Sequence, residues 1–458
     1  MRTFILSLFA LLLLAACGDD IVHNHYYPQE PETPEEPQKP SFERGEWLTN
    51  AQSPCYYGLF TIHHNALFPA WLLQAKGIRY GYPDSEFVQE YITDDISLEL
   101  KNPGTGTLIT LRMDESPVCH TSEYSIIVPQ EESDETLDLE YPVKWNVEAL
   151  LTWHADRPVD LSWTLLLDGK EVQHYTHRFN CRSLHCFSSY SVLPKEEAPE
   201  LIAEIKKMEF GDWGITEDEE VVLLHNFPFL MGYIDEHSPF VEELKHEVVA
   251  DGYLPYLTGQ FSPTTEELLN CTAKTFNYLM MKHHITYGVS DSEGGLQYLR
   301  TIDDIFRYKQ AYCIELAVAF ASWCMNQGVE YTLESVPSHM CNSIIDKEGK
   351  NHPADMTIVA SNPQAYTPFA NPPTPADFEK ANRMYQKMME AAAKSNEEVY
   401  EPGRVEEPLL YASFNPLYLR SFLPSFNIGS NYAHTRALLG EEEGLRFVKR
   451  PGFTKTAP

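Results

Sequence analysis

The chain has 458 residues, of which 34 are Lys or Arg and 67 are Asp or Glu, giving a net charge of −33 at neutral pH. Phosphate contacts need Lys and Arg, so this balance argues against nucleic acid and anionic lipid headgroups as partners. Hydrophobic residues make up 43%, with 26 Tyr and 23 Phe, enough for packed cores in two or three domains.

Met1-Arg2-Thr3 is a short positive start, and Phe4 to Leu14 is an apolar run of 11 residues. Together they read as a secretory signal over residues 1–16. The run is too short to span a bilayer, and no later segment is long enough. The sequence Leu14-Ala15-Ala16-Cys17 resembles a bacterial lipobox, which implies cleavage before Cys17 and acylation of that cysteine. Gly18-Asp19-Asp20 resembles the start of outer-membrane or surface lipoproteins. The implied location is the bacterial cell envelope, on its periplasmic or outer face, with the membrane as a partner only through lipid. Residues 17–45 read as a tether, because Gln29 to Lys39 interleaves Pro with Glu and so combines stiffness with self-repulsion. His23 and His25 read as linker residues.

Residues 46–195 are expected to be β-rich. Ile96–Lys101 and Leu137–Tyr141 alternate apolar with polar. Asp168-Gly169 between Leu161–Leu167 and Glu171–Thr176 is a hairpin signal. Several short strands with such turns suggest an immunoglobulin-like β-sandwich, with the default role of a spacer.

Helices are expected to dominate from Glu196. Ser262-Pro263 followed by Glu266-Glu267 is a helix start. Leu269, Thr272, Phe276, Met280 and His283 then share one face, which leaves His283 at a helix edge rather than in a catalytic role. Farther on, Cys313 opens the apolar run Ile314 to Trp323, ended by Gly328. Val329–Val336 reads as a strand, His339 enters a second, and the chain turns at Asp346 to Lys350 and returns to Asp355. Thr374-Pro375 starts another helix with the apolar stripe Phe378, Ala381, Tyr385, Met388 and Ala392, which reads as core. Residues 371–458 are expected to form a helical extension, loosely ordered after Leu438.

Cys313, His339 and Asp355 have the order and residue types of a nucleophile, its base and the group that orients the base. A thiol at a helix N-terminus beside an imidazole ionises more readily than a free one. The histidine takes the thiol proton and returns one to a leaving amine, and the carboxylate fixes its tautomer. Gln310, three residues before Cys313, is a candidate oxyanion donor beside the backbone N–H of the nucleophile.

A cysteine, a histidine 26 residues later and an aspartate 16 beyond that resemble the transglutaminase-like superfamily, whose core is helix–strand–strand. The stretch from Asp235 to Ile358 resembles a set of bacterial transglutaminase-like proteins. The likeness rests on Asp235-Glu236-His237-Ser238-Pro239-Phe240, Gln310 and Val336-Pro337-Ser338-His339-Met340. Upstream, Leu167-Asp168-Gly169-Lys170 and Arg178 to Ser189 extend it. That set often carries Glu at the acidic position, where this chain has Asp355. The resemblance implies an α+β chain: an immunoglobulin-like sandwich over 46–195, a transglutaminase-like, cysteine-protease-like domain over 196–370 and the helical extension. It also implies acyl transfer through a cysteine thioester, acting on a peptide or protein amide. Water as acceptor gives a peptidase or amidase, and an amine gives a crosslinker. The other expectation is a surface binding lipoprotein that keeps the fold without turnover.

Seven cysteines remain besides Cys17 and Cys313, with Cys181 and Cys186 the closest pair in sequence; Cys324 and Cys341 read as inert buried thiols. No Cys-x-x-Cys, His-Glu-x-x-His or glycine-rich phosphate loop is present, so neither a metal nor another cofactor is expected.

Overall fold

A computed structural model gives the architecture and describes residues 41–54, 65–81, 92–130, 136–194, 215–217, 221–254, 264–289, 295–336, 339–366, 368–399, 412–414, 416–420 and 444–447, with positions 84, 199, 203 and 425. The signal, Cys17 and the Pro/Glu tether up to residue 40 lie outside the described residues, as do Cys55 and the Ser262-Pro263 helix start. Residues 42–458 form one compact unit with helices and sheets in an α+β arrangement. No helix among the described residues is long and apolar enough to cross a membrane.

The N-terminal part holds two sheets. One runs Leu48–Gln52, Ile96–Lys101, Thr136–Tyr141 and Arg446–Phe447; the other runs Ala66–Leu67, Lys170–Cys181, Arg157–Leu167, Leu108–Met113 and Ser122–Ile127. They meet through Tyr141 and Trp163, whose rings stand edge to face 6.3 Å apart, and through the Tyr141 hydroxyl, which donates to the Ser122 carbonyl at 3.0 Å. The hairpin expected at Asp168-Gly169 is present and longer than its sequence signal. It pairs Leu167 with Lys170, and both turn residues have positive φ (47° and 77°), the backbone such a tight reversal requires.

Three features depart from the sequence reading. A 13-residue helix, Pro69–Gly81, lies inside the segment expected to be β, because Trp71, Leu72, Ala75 and Ile78 are buried at helical spacing. The C-terminal extension is not purely helical: Ala412–Phe414 pairs with Tyr331–Val336, and Arg446–Phe447 pairs with Thr136–Tyr141. Each adds a strand to a sheet edge whose N–H and C=O groups would otherwise go unpaired. Leu445, with its flanking side chain buried, anchors the second of these where loose chain was expected.

The sheet Asn351–Ala354, His339–Ile345, Tyr331–Val336, Ala412–Phe414 is antiparallel throughout. The Cys313–Asn326 helix packs on it, and Asn342 ties strand to helix by donating to the Ala317 carbonyl at 3.2 Å. Behind that helix runs Thr265–Leu269, a π-helical turn at Asn270–Lys274 and Thr275–His283. Thr264 caps it, bonding the Glu267 N–H at 3.2 Å, and the buried Phe276 ring meets Phe320 at 5.4 Å. His283 sits at the helix edge as expected, bonded to Glu247 at 2.9 Å. The Asp235–Phe240 motif braces the Cys313–Asn326 helix: the Asp235 N–H donates to Ser322 Oγ at 2.8 Å, and Asn326 donates to the Glu236 carbonyl at 2.7 Å. The Pro375–Val399 helix starts where Thr374-Pro375 predicts, with the Thr374 N–H held by Asp377 at 2.8 Å and with Phe378, Ala381 and Tyr385 buried.

Candidate active site

Cys313 is the first residue of its helix, and its placement rests on a buried carboxylate two residues on, in the first turn. Glu315 is fully buried and accepts from the Arg300 N–H (2.8 Å), Arg300 Nε (2.8 Å), Arg300 Nη2 (2.7 Å) and the Tyr312 N–H (3.2 Å). These donors compensate its desolvation and fix the residue before the nucleophile as the helix entry. The sequence carries a faint sign of this, an acidic side chain in the first turn. The arginine partner lies 15 residues upstream, and no local pattern points to it.

His339 begins its strand and Asp355 follows the next one. The adjacent antiparallel strands bring His339 Nε2 to 2.9 Å from Asp355 Oδ2. Thr357 then holds the other carboxylate oxygen, its N–H donating to Asp355 Oδ1 at 2.9 Å and its hydroxyl at 2.6 Å. Thr357 was missed from sequence, although Asp355-Met356-Thr357 opening the helix Thr357–Ala360 is a local signal of this kind. Tyr385 of the C-terminal helix lies close enough to Asp355 for the carboxylate, after burial, to help push its hydroxyl up to about 12.

With Nε2 engaged by Asp355, Nδ1 is the ring nitrogen left over, and Cys313 is near enough to the imidazole for each to shift the other's ionisation. Burial alone would push the thiol up. The bond to His339, its charge and the backbone N–H groups of Met340 and Ile314 outweigh that and hold Cys313 below the usual thiol range. His339 is raised to about 10, first by the Asp355 hydrogen bond and then by Cys313, against burial. Burial would raise Asp355 too, but the bonds from His339 and Thr357 keep it below the ordinary carboxylate value. The three shifts agree in sense: each favours the charged form of its group over what that group would have alone.

The other thiols are of a different kind. Burial pushes Cys341 up to about 12, helped by Asp355, and it raises the fully buried Cys324 well above the ordinary thiol value. Cys181 and Cys186 are free thiols, both pushed up to about 12 by burial, and no disulfide joins them. Gln310 is on a two-residue strand, Gln310–Ala311, rather than in a turn. Its side chain lies across Gly288, where a Cβ would meet it at 2.7 Å. The structure thus brings Cys313, His339 and Asp355 together, while the Gln310 side chain lies against Gly288. Among the described residues, no group of three or more His, Cys, Asp or Glu side chains is placed to hold a metal ion.

The arrangement can generate a nucleophilic sulfur, protonate a leaving amine and keep the imidazole in one tautomer. No protein-family model and no curated protein matches this sequence.

Proposed function

We propose that this chain is a cysteine-dependent acyl-transfer enzyme of the transglutaminase-like type, acting on peptide or protein amides with water as the usual acceptor. Cys313 sulfur attacks the amide carbon, the carbonyl electron pair moves to oxygen, and collapse expels the amine with a proton from His339. Water, deprotonated by His339, then attacks the thioester, and the sulfur leaves as thiolate. The observation that carries this reading is the 2.9 Å His339–Asp355 bond behind a thiol at a helix start. The helix–strand–strand order and the Asp235–Phe240 brace support the transglutaminase-like assignment. The two facing sheets upstream support an immunoglobulin-like spacer. Cys17, by its resemblance to a lipobox, would anchor the enzyme to the outer membrane of a bacterial envelope.

Iodoacetamide labelling at pH 6, mapped by mass spectrometry, tests the reading. Rapid alkylation of Cys313 that disappears in His339→Ala is the expected result. Alkylation no faster than that of a denatured thiol would overturn it and leave a binding lipoprotein without turnover.

A further inference from the structure

Three consecutive residues, Tyr298, Leu299 and Arg300, join the β-rich part of the chain to the start of the Cys313 helix. The strand Leu296–Tyr298 pairs antiparallel with Cys186–Ser188, placing Tyr298 opposite Cys186. Gly295 lets the two approach: its φ is positive (79°), and a Cβ there would meet the Tyr190 ring at 2.6 Å. Leu299 extends the join, its N–H donating to the His185 carbonyl at 2.8 Å and its carbonyl accepting from His185 Nδ1 at 2.7 Å.

Tyr298 is bonded on both sides. Its hydroxyl donates to Asp156 Oδ2 at 2.6 Å, and Asp156 is fixed within the β-rich part by Arg182 Nη1 (2.9 Å) and the Ser183 N–H (2.7 Å). Its carbonyl accepts from the Tyr312 hydroxyl at 3.0 Å, while Arg300 binds Glu315 through its backbone N–H and its guanidinium. Tyr312 immediately precedes the nucleophile and Glu315 lies two residues past it. Both residues that set the helix entry are thus held by a segment that the β-rich part holds in turn. A spacer would need only a covalent link to the site.

We propose that the β-rich part positions the Cys313 thiol, with Tyr298 as the positioning residue through which it acts. This rests on the acyl-transfer reading above and gives the upstream sheets a second role. Tyr298 works through Tyr312 and Arg300. Released from Asp156, residues 298–300 gain freedom, Tyr312 and Glu315 follow, and the first turn of the helix no longer presents the thiol to His339 in one geometry. Stabilisation of a thiolate by an imidazole and by backbone N–H groups weakens with distance and angle, so the ionisation of Cys313 reports the loss.

The experiment follows Cys313 alkylation by iodoacetamide against pH in wild type, Tyr298→Phe, Asp156→Asn and the control Arg178→Gln, each after a melting curve confirms folding. Arg178 pairs with Asp160 at 2.7 Å on an exposed face of the β-rich part, away from residues 298–300 in the bonding described. The acid-side midpoint of alkylation is expected to rise by about half a pH unit in Tyr298→Phe and Asp156→Asn, a fraction of one hydrogen bond to a charged group. The rate of the fully ionised thiol should change by less than about twofold, because the thiolate is the reacting species in each protein. Loss of the Asp156 charge by itself favours the thiolate, so a rise in both variants reads geometry and not charge. An unchanged midpoint in both folded variants overturns the proposal and returns the sheets to a spacer. An equal rise in Arg178→Gln also overturns it, since general loosening then suffices. If Asp156→Asn does not fold, Tyr298→Phe decides alone, because its ring is 43% exposed and loses only the hydroxyl. Failure of the acyl-transfer reading gives a different signature, a wild-type Cys313 that alkylates no faster than a denatured thiol.

Discussion

The hairpin His339–Ile345/Asn351–Ala354 carries a histidine–aspartate pair at each end. At the open end His339 Nε2 meets Asp355 Oδ2 at 2.9 Å; at the turn His352 Nε2 meets Asp346 Oδ2 at 2.7 Å. The atoms and distances are nearly the same, yet the surroundings give them different work. Asp346 also accepts from the Glu348 and Lys350 N–H groups (3.0 and 2.9 Å) and from Thr265 Oγ1 (3.2 Å), so its oxygens are committed to closing the turn and joining it to a helix. His352, foremost, and these donors hold its carboxyl at about 2. Among the described residues, Asp355 is braced by Thr357 besides its histidine, and that histidine has a second nitrogen left beside a half-buried thiol. A His–Asp pair is therefore no site by itself. A third group, placed from another element, makes it one.

Substitutions at the two ends should separate them. Cys313→Ala should remove the fast alkylation at pH 6, a fall of roughly 10²-fold or more in total thiol labelling, because other described thiols, such as Cys341 at about 12 and Cys119 at about 11, are raised by burial. Slow, even labelling of all thiols in wild type would erase the difference between the ends.

Asp355→Asn should lower acyl turnover by roughly 10²–10⁴-fold, the span that general acid–base catalysis covers. It should also drop the His339 imidazole from about 10 towards its ordinary value, read by NMR titration of the ring. The Cys313 end has a pH signature of its own. Cys313 is lowered and His339 raised to about 10, so the thiolate–imidazolium pair fills the interval between them. Alkylation of Cys313 should extend to lower pH than that of an ordinary thiol and fall on the acid side as the thiol reprotonates. Amide turnover should fall again as pH rises through about 10, where His339 loses the proton it gives the amine. The folded state's gain from protonated His339 has the same sign, fully present below its unfolded value near 6.5 and lost as pH rises through about 10.

Glu315→Ala should destabilise the fold by about 3 kcal/mol in urea melts, since it strands Arg300 and frees the helix entry. The smallest effect belongs to the turn end. His352→Ala should lower the melting temperature slightly and leave Cys313 alkylation unchanged. The Asp346 contribution has the opposite pH sense to that of His339, present above the unfolded value near 3.8 and lost as pH falls through about 2.

Local chemistry determined much of what is now visible. Asp168-Gly169 required a tight hairpin because few other pairs tolerate positive φ at both positions. Thr374-Pro375 with Asp377 specified a helix start, and the order Cys313, His339, Asp355 marked the site because each residue lies at the boundary of an element whose periodicity is legible. The helix Pro69–Gly81 was also written locally and went unread in a segment dominated by strands. What only the tertiary structure decided is the set of partners brought from afar. Arg300 reaches Glu315, and Arg446–Phe447 returns across more than 300 residues to pair with Thr136–Tyr141. Such pairs follow from which faces bury together once the chain collapses, and packing leaves no periodic trace at either partner.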